Sequence, residues 1–176
     1  MASNTNAVVN FSMTATQQGT NAFAAGPFWT GAVSYAQAFA SGSGAGQCDL
    51  CYMANRTVTT GATDSIDLNG ALTDALGVTI STIHLVALFI ENINSTGGAA
   101  NTTTLTLGGG ANPFVGFLGG TTPTIGPLQP GACLFLCSPA AAGLGTVTAG
   151  TADILSIVNS AGASNTYQIG ILGRSA

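Results

Sequence analysis

The sequence ISTIHLVALFIE, residues 80–91, is the longest strand-like run of the chain and decides its fold. Side chains alternate between the two faces of a β-strand, and here the residues of both faces are largely apolar. The run therefore predicts a central strand that is covered on both sides. One predicted face holds Ile83, Leu85, Ala87 and Phe89, and the other holds Thr82, His84, Val86, Leu88 and Ile90.

Two segments flank this run. Before it, DSIDLNGALTDALG (residues 64–77) places Leu68, Leu72 and Leu76 at a spacing of four and ends in glycine, which predicts one or two helical turns. After it, TTTLTLGGG (residues 102–110) alternates leucine with threonine and stops at glycines, which predicts a strand and a tight turn.

Further strand patterns occur along the whole chain. VNFSMTAT (residues 9–16) alternates as a half-buried strand does, CLFLC (residues 133–137) follows a Pro-Gly turn, and ILSIV and TYQIGILG lie near the C-terminus. Short strands at intervals of roughly ten to fifteen residues are typical of sandwiches and barrels. We therefore predict an all-β fold: an antiparallel β-sandwich of Greek-key or jelly-roll type, with one short helical turn and long loops. A β-solenoid is the second choice, but it requires a repeat that the sequence lacks.

The composition excludes several classes of protein. Charged residues make up 5% of the 176 residues, there is no lysine, and the net charge is −4, so nucleic-acid binding is not expected. Hydrophobic residues make up 46%, which argues against disorder, and no apolar run is long enough for a transmembrane helix. A surface so poor in charge suits a protein that packs against copies of itself or a larger partner.

The N-terminal part differs from the rest. It has neither the basic nor the apolar region of a secretory signal, so we expect synthesis in a cytoplasm. Residues 1–46 are predicted to be a strand followed by an irregular arm with an exposed SGSGAG loop, and residues 47–176 are predicted to be the sandwich. We expect the two parts to form one compact domain overall. Large aromatic residues are typical interface anchors. The candidate interface residues are Phe23, Phe28, Trp29, Tyr35 and Phe39.

The four cysteines allow several interpretations. Cys48 and Cys51 form a C-x-x-C pair, and Cys133 and Cys137 a C-x-x-x-C pair, the spacing of a four-thiolate zinc site. Because the second pair lies in an apolar strand, we favour reduced thiols, with Cys133 and Cys137 buried. A zinc site and buried disulfides remain alternatives.

No catalytic set stands out in the sequence. His84 is the single histidine and lies mid-strand among apolar residues, where a structural role is the common one. Asp64 and Asp67 could hold calcium, but they more often cap the helical turn predicted after them. We expect no enzyme activity and no cofactor.

A resemblance adds to these predictions. Five stretches of the chain resemble virion proteins of tailed double-stranded DNA bacteriophages that decorate or cement the head. They are TDSIDLNGALTDALGVTI (63–80), HLVALFIENIN (84–94), TLTLGGGANPF (104–114), PLQPGACLFLCSP (127–139) and the final stretch 147–173. The resemblance covers about residues 56–173. It implies a homo-oligomer, most often a trimer, on the capsid exterior, bound to the major capsid protein between capsomers.

Two alternatives remain beside the decoration protein. The same chemistry would suit a phage tail, fibre or tube subunit assembled along an axis. A carbohydrate- or receptor-binding β-sandwich would instead use exposed aromatic residues such as Trp29, Tyr35 and Tyr52.

Overall fold

A computed structural model describes residues 4–20, 26–93 and 101–176. Within these residues the chain is all-β and contains no helix. The strands are β1 Ala7–Gln18, β2 Phe28–Ser41, β3 Gln47–Cys48, β4 Leu50–Val58, β5 Thr63–Asp67, β6 Asn69–Thr73, β7 Thr79–Ser81, β8 His84–Glu91, β9 Leu105–Gly108, β10 Thr124–Leu128, β11 Cys133–Cys137, β12 Gly145–Thr146, β13 Ile154–Asn159 and β14 Asn165–Arg174.

Two antiparallel sheets form the body of the protein. The first has the order β4-β14-β8-β11, with β12 pairing the start of β8, and the second has the order β5-β13-β9-β10. The chain passes repeatedly between these sheets: between β4 and β5, from β5 to β8 by way of the separate β6-β7 pair, between β8 and β9, between β10 and β11, between β12 and β13, and between β13 and β14. One of the last two strands lies between earlier strands in each sheet: β13 between β5 and β9, and β14 between β4 and β8. The predicted antiparallel sandwich is confirmed.

The main core lies between the two sheets, where side chains of both inner faces meet. β8 occupies the interior of the first sheet, between β11 and β14, so the predicted central strand is confirmed. Burial of these aliphatic side chains is the main stabilising contribution to the fold. The core includes Leu85, Leu88, Ile90, Tyr167, Ile169 and Ile171 from the first sheet, and Ile66, Leu107, Leu155 and Ile157 from the second.

The predicted run 80–91 is divided in the structure. Its first residues form β7, which pairs with β6, and β8 begins at His84. Within β8, Ala87 pairs with Leu172 but Leu85 pairs with Gly173, so the register shifts by one residue at Val86. This bulge moves Leu85 into the main core and leaves Ala87 on the outer face. The predicted face assignment was wrong, because a bulge interrupts the alternation of side chains.

The predicted helical turn within residues 64–77 was also wrong. Leu68 and Leu72 are buried around the β5–β6 connection, while Leu76 is 78% exposed in a turn closed by hydrogen bonds to Asp74. A spacing of four is an even number, so two leucines four apart share a face of a strand as well as of a helix. Asp67 consequently accepts the Asn69 N–H in a turn rather than capping a helix.

The N-terminal region is a regular hairpin rather than an irregular arm. β1 and β2 pair antiparallel without a register shift from Ala7↔Phe39 to Gln18↔Phe28. The twelve residue pairs of this ribbon span roughly 36 Å at about 3.3 Å per residue. The predicted SGSGAG loop follows β2 and leads to β3, which pairs parallel with the end of β2.

Candidate assembly surface

The base of the hairpin packs on the outer face of the first sheet, away from the main core. A second apolar cluster forms there from Phe39, Cys48, Val86, Ala87 and Leu172. Ala7, Val9, Cys51 and Cys137 pack around this cluster. These contacts hold one end of the hairpin against the sandwich.

Tyr35 adds a contact farther along the hairpin. Its ring centroid is 6.4 Å from that of Phe135 in β11, at an angle of 55°. Its hydroxyl donates to the Cys137 sulfur over 3.5 Å, and this hydrogen bond raises the pKa of Tyr35 to about 12. The direction of the hairpin is therefore set by aromatic packing as well as by its base.

Beyond this contact the two faces of the hairpin differ strongly. Directly paired residues share a face, and Phe11 opposes Tyr35 while Met13 opposes Val33. Trp29 completes this face, and its ring covers Gly31 so closely that a Cβ on Gly31 would lie 2.2 Å from it. We call these residues, Phe11, Met13, Trp29, Val33 and Tyr35, the hairpin apolar face. Their side chains are all exposed, from 37% at Tyr35 to 56% at Trp29 and Val33.

Along its middle, the opposite face of the hairpin is polar or small, and the exposed Val8 and Phe28 lie at the two ends of that face. Its opposed pairs are Ser12 with Ser34, Thr14 with Ala32, and Thr16 with Thr30. The hairpin is thus amphipathic, but most of its apolar side faces solvent in the single chain. That is the reverse of the burial expected for a strand with this alternation.

The five predicted interface residues separate into three groups. Phe28 and Trp29 at the far end of the hairpin, and Tyr35 along it, are exposed as an interface requires. Phe39 is 2% exposed and anchors the hairpin base, so it is not available to a partner. Phe23 lies outside the described residues.

Sequence reasoning missed three members of the hairpin apolar face. Phe11 and Met13 were assigned to the buried side of a half-buried strand, and that burial is wrong. Val33 was not singled out. The alternation of residues 9–16 correctly predicts which side chains share the apolar face. It does not predict that this face is exposed to solvent.

Three of the four cysteines, Cys48, Cys51 and Cys137, lie around the hairpin base. Cys48 is fully buried, and burial raises its pKa to about 11. Cys51 and Cys137 are half-buried, and desolvation raises the pKa of both. Cys133 is exposed, so the predicted burial of Cys133 and Cys137 was wrong, because β11 is an edge strand of its sheet. All four thiols are free.

The charged side chains are held in structural contacts. Arg56 donates two 2.7 Å hydrogen bonds to the Asp64 carboxylate, which also accepts a 2.7 Å bond from the Tyr167 hydroxyl. Burial raises the pKa of Asp64, but the bonds from Arg56 and Tyr167 outweigh burial and lower the pKa overall. Burial and the bond to Asp64 raise the pKa of Tyr167 above its usual range.

The other candidate ligands are dispersed. His84 lies 3.4 Å from the Thr146 hydroxyl, and Asp67 is occupied by its turn. In residues 4–20, 26–93 and 101–176, no three His, Cys, Asp or Glu side chains come close enough to hold a metal ion. Within the same described residues the four thiols of the zinc alternative do not come together, and Asp64 is paired with Arg56.

The aromatic residues of the carbohydrate-binding alternative do not form one platform. Tyr52 packs on the main core and accepts a hydrogen bond from Arg56. Tyr35 lies on the outer side of the same sheet, and Trp29 lies at the far end of the hairpin. A sugar ring could therefore contact only one of the three.

A groove of about 810 Å³ runs between the start of β1 and the outer face of the first sheet. Its walls are mainly apolar, with Val9 on the hairpin side and Phe89 and Phe135 on the sheet side. Met53, at its rim, is 73% exposed. The groove continues the apolar surface of the hairpin onto the body.

No protein-family model, curated protein or solved structure matches the chain. Among the residues that the structure describes, none belongs to a helix of the length and hydrophobicity that a membrane span needs.

Proposed function

We propose that the chain is a structural virion subunit, which decorates or cements a bacteriophage head on its exterior by binding between capsomers. It acts as a homo-oligomer, most simply a trimer, with the major capsid protein as its partner. The observation that carries this proposal is the amphipathic hairpin, which projects from the β-sandwich and exposes its apolar face. The resemblance of residues 56–173 to head decoration proteins supplies the virion context.

The chemistry of the hairpin favours a permanent structural contact. The first charged residue of the chain is Asp49, so the entire hairpin is uncharged. Contacts made through such a surface depend on apolar burial and hydrogen bonds, and salt screens them little. Reversible, electrostatically guided binding would require charged groups that the hairpin lacks.

The far end of the hairpin is the best candidate for contact with the shell. Phe28 is 68% exposed there and lies opposite Gln18, on the face away from the hairpin apolar face. At about 3.3 Å per residue, Phe28 lies roughly 23 Å along β2 from Tyr35, which contacts the sandwich, and roughly 36 Å from Phe39 at the base. An exposed aromatic at the end of a rigid ribbon is well suited to enter a pocket of a partner.

The experiment compares two charge insertions on the same hairpin face. Phe28→Asp changes the far end, and Val8→Asp makes a matched change at the base, where Val8 is also 68% exposed. Each purified variant is added to phage particles that lack the protein, and binding is measured by co-sedimentation and by electron microscopy.

We expect Phe28→Asp to abolish binding to heads while Val8→Asp and the unmodified protein saturate them. Raising the salt concentration from about 0.05 to 0.5 M should change the binding little, because few charges take part. Saturation by Phe28→Asp, or binding that collapses with salt, would refute attachment through the hairpin end. Binding to tails rather than heads would replace decoration with the tail or fibre alternative.

A further inference from the structure

We infer that the hairpin apolar face is an interface between copies of this chain, in which the face of one copy packs against the same face of another. This inference deepens the proposed function by naming the partner of that face, and it rests on the proposal that the chain works as a homo-oligomer. It concerns contacts between copies and does not depend on the surface to which they bind.

The size of the surface supports a specific contact. Phe11, Trp29 and Tyr35 are 46%, 56% and 37% exposed, and Met13 and Val33 are both above half. Since a fully buried aromatic side chain covers about 150–250 Å², the five together expose on the order of 400–500 Å² of apolar surface. Two such faces in contact would bury on the order of 800–1,000 Å², which approaches the roughly 1,000 Å² expected of a biological interface.

The lack of charge on the hairpin favours a second copy of the chain as the partner of the hairpin apolar face. A charged surface placed on the hairpin apolar face would lose its hydration and find no opposite charge in β1 or β2, which is costly. The same face of a second copy is equally free of charge. Every copy of the chain also carries this face, so each face has an equivalent face available as its partner.

The geometry of the hairpin supports association of like with like. Phe11 with Tyr35 and Met13 with Val33 form successive rows across an unbroken antiparallel ribbon, so a twofold or threefold arrangement can bring equivalent rows together. The outer edge of β1 is unpaired in the described part of the chain, and neither strand carries a charge, a proline or a bulge along its length. Natural proteins normally protect exposed edge strands with such features, so an edge without them favours pairing with another chain.

The single tryptophan of the chain gives a direct test. Trp29 belongs to the hairpin apolar face, and no other tryptophan contributes to the fluorescence. Sedimentation velocity of the purified protein over about 0.1–50 µM, a range that brackets typical weak to moderate affinities, is recorded together with the emission wavelength. We expect a mass that is a multiple of 17.2 kDa, and a red shift of the emission on dilution to the monomer.

Matched variants locate the contact. Phe11→Ser with Val33→Ser removes two large side chains from the hairpin apolar face, and Val8→Ser with Ala36→Ser introduces the same two serines on the opposite face. We expect the first pair to weaken self-association at least about 100-fold and the second to change it less than about threefold, as for residues at the centre of an interface and outside it. Circular dichroism checks that both variants are folded.

Three outcomes would overturn the inference. The first is a wild-type protein that stays monomeric at 17.2 kDa throughout the range. The second is a folded Phe11/Val33 variant that associates as tightly as wild type. The third is dissociation of a wild-type oligomer without any change in Trp29 emission, which would place the contact elsewhere. Failure of the protein to bind particles would leave these results unchanged, so it would count only against the virion assignment.

Discussion

Replacing Leu85 by alanine should be among the most destabilising single changes in the protein. The side chain is fully buried in the main core, and it lies in β8, the strand between β11 and β14. Removing three carbon atoms costs about 2.4 kcal/mol in transfer free energy, at ~0.8 kcal/mol each. The cavity left behind adds to this cost when the surroundings cannot collapse into it.

The structure around Leu85 resists such a collapse. Leu85 pairs with Gly145 on one side and with Gly173 on the other, and its carbonyl accepts the Leu144 N–H over 2.6 Å. Two neighbouring strands therefore hold the backbone, and glycines offer no side chain that could move into the space. We expect a loss of about 3–5 kcal/mol in the free energy of unfolding, the range found for well-packed leucines.

The assay is urea denaturation followed by circular dichroism, with wild type and variants at one protein concentration because association contributes to stability. Leu76→Ala is the matched control, since it is the same substitution at a side chain that is 78% exposed. The control should change the free energy of unfolding by less than about 0.5 kcal/mol. A loss below that value for Leu85→Ala, or equal losses at the two positions, would refute the assignment of β8 to the core.

Three further predictions concern the polar groups. The lowered pKa of Asp64 contributes stability that is complete above the unfolded value of 3.8 and is lost as the pH falls through the lower, folded value. Acid titrations of unfolding should therefore show Asp64→Asn to be less sensitive to pH in that range than wild type. Tyr167→Phe should cost about 1–3 kcal/mol in chemical denaturation, because it removes a hydrogen bond from the partly buried Asp64 carboxylate, and no loss would mean that the bond is not formed. A bulky thiol reagent followed by peptide mass spectrometry should modify exposed Cys133 first and buried Cys48 only on unfolding, and rapid labelling of Cys48 in the native protein would contradict its burial.

Much of the sandwich could be predicted from residue patterns because each strand carries its own evidence. The run at 84–91, CLFLC at 133–137 and the C-terminal stretch all became paired strands of the first sheet. Apolar residues on both faces of a strand require cover on both sides, and here the main core supplies one cover while the hairpin base supplies part of the other. Local patterns of this kind predict strands well because the position of apolar residues along a strand reflects which of its side chains are buried.

Other errors arose where two structures fit the same local pattern. The leucines at 68 and 72 share a face in a helix and in a strand, and only the pairing of β6 with β7 distinguishes the two. The bulge at Val86 likewise depends on the register of β14 and leaves no mark in the residues of β8 itself. Cys133 is exposed because β11 ends its sheet, and a strand's place in a sheet follows from topology.

The sequence by itself determined the all-β class, the central strand, the amphipathic alternation of residues 9–16 and the lack of charge, because these depend on residue type and spacing alone. Only the tertiary structure decided that Phe39 is an internal anchor while Phe28 and Trp29 remain exposed, although all three lie in one strand. The physical reason is that alternation shows which side chains share a face but not what covers that face. The cover depends on where the chain returns, and here it returns over the base of the hairpin and leaves the far end free.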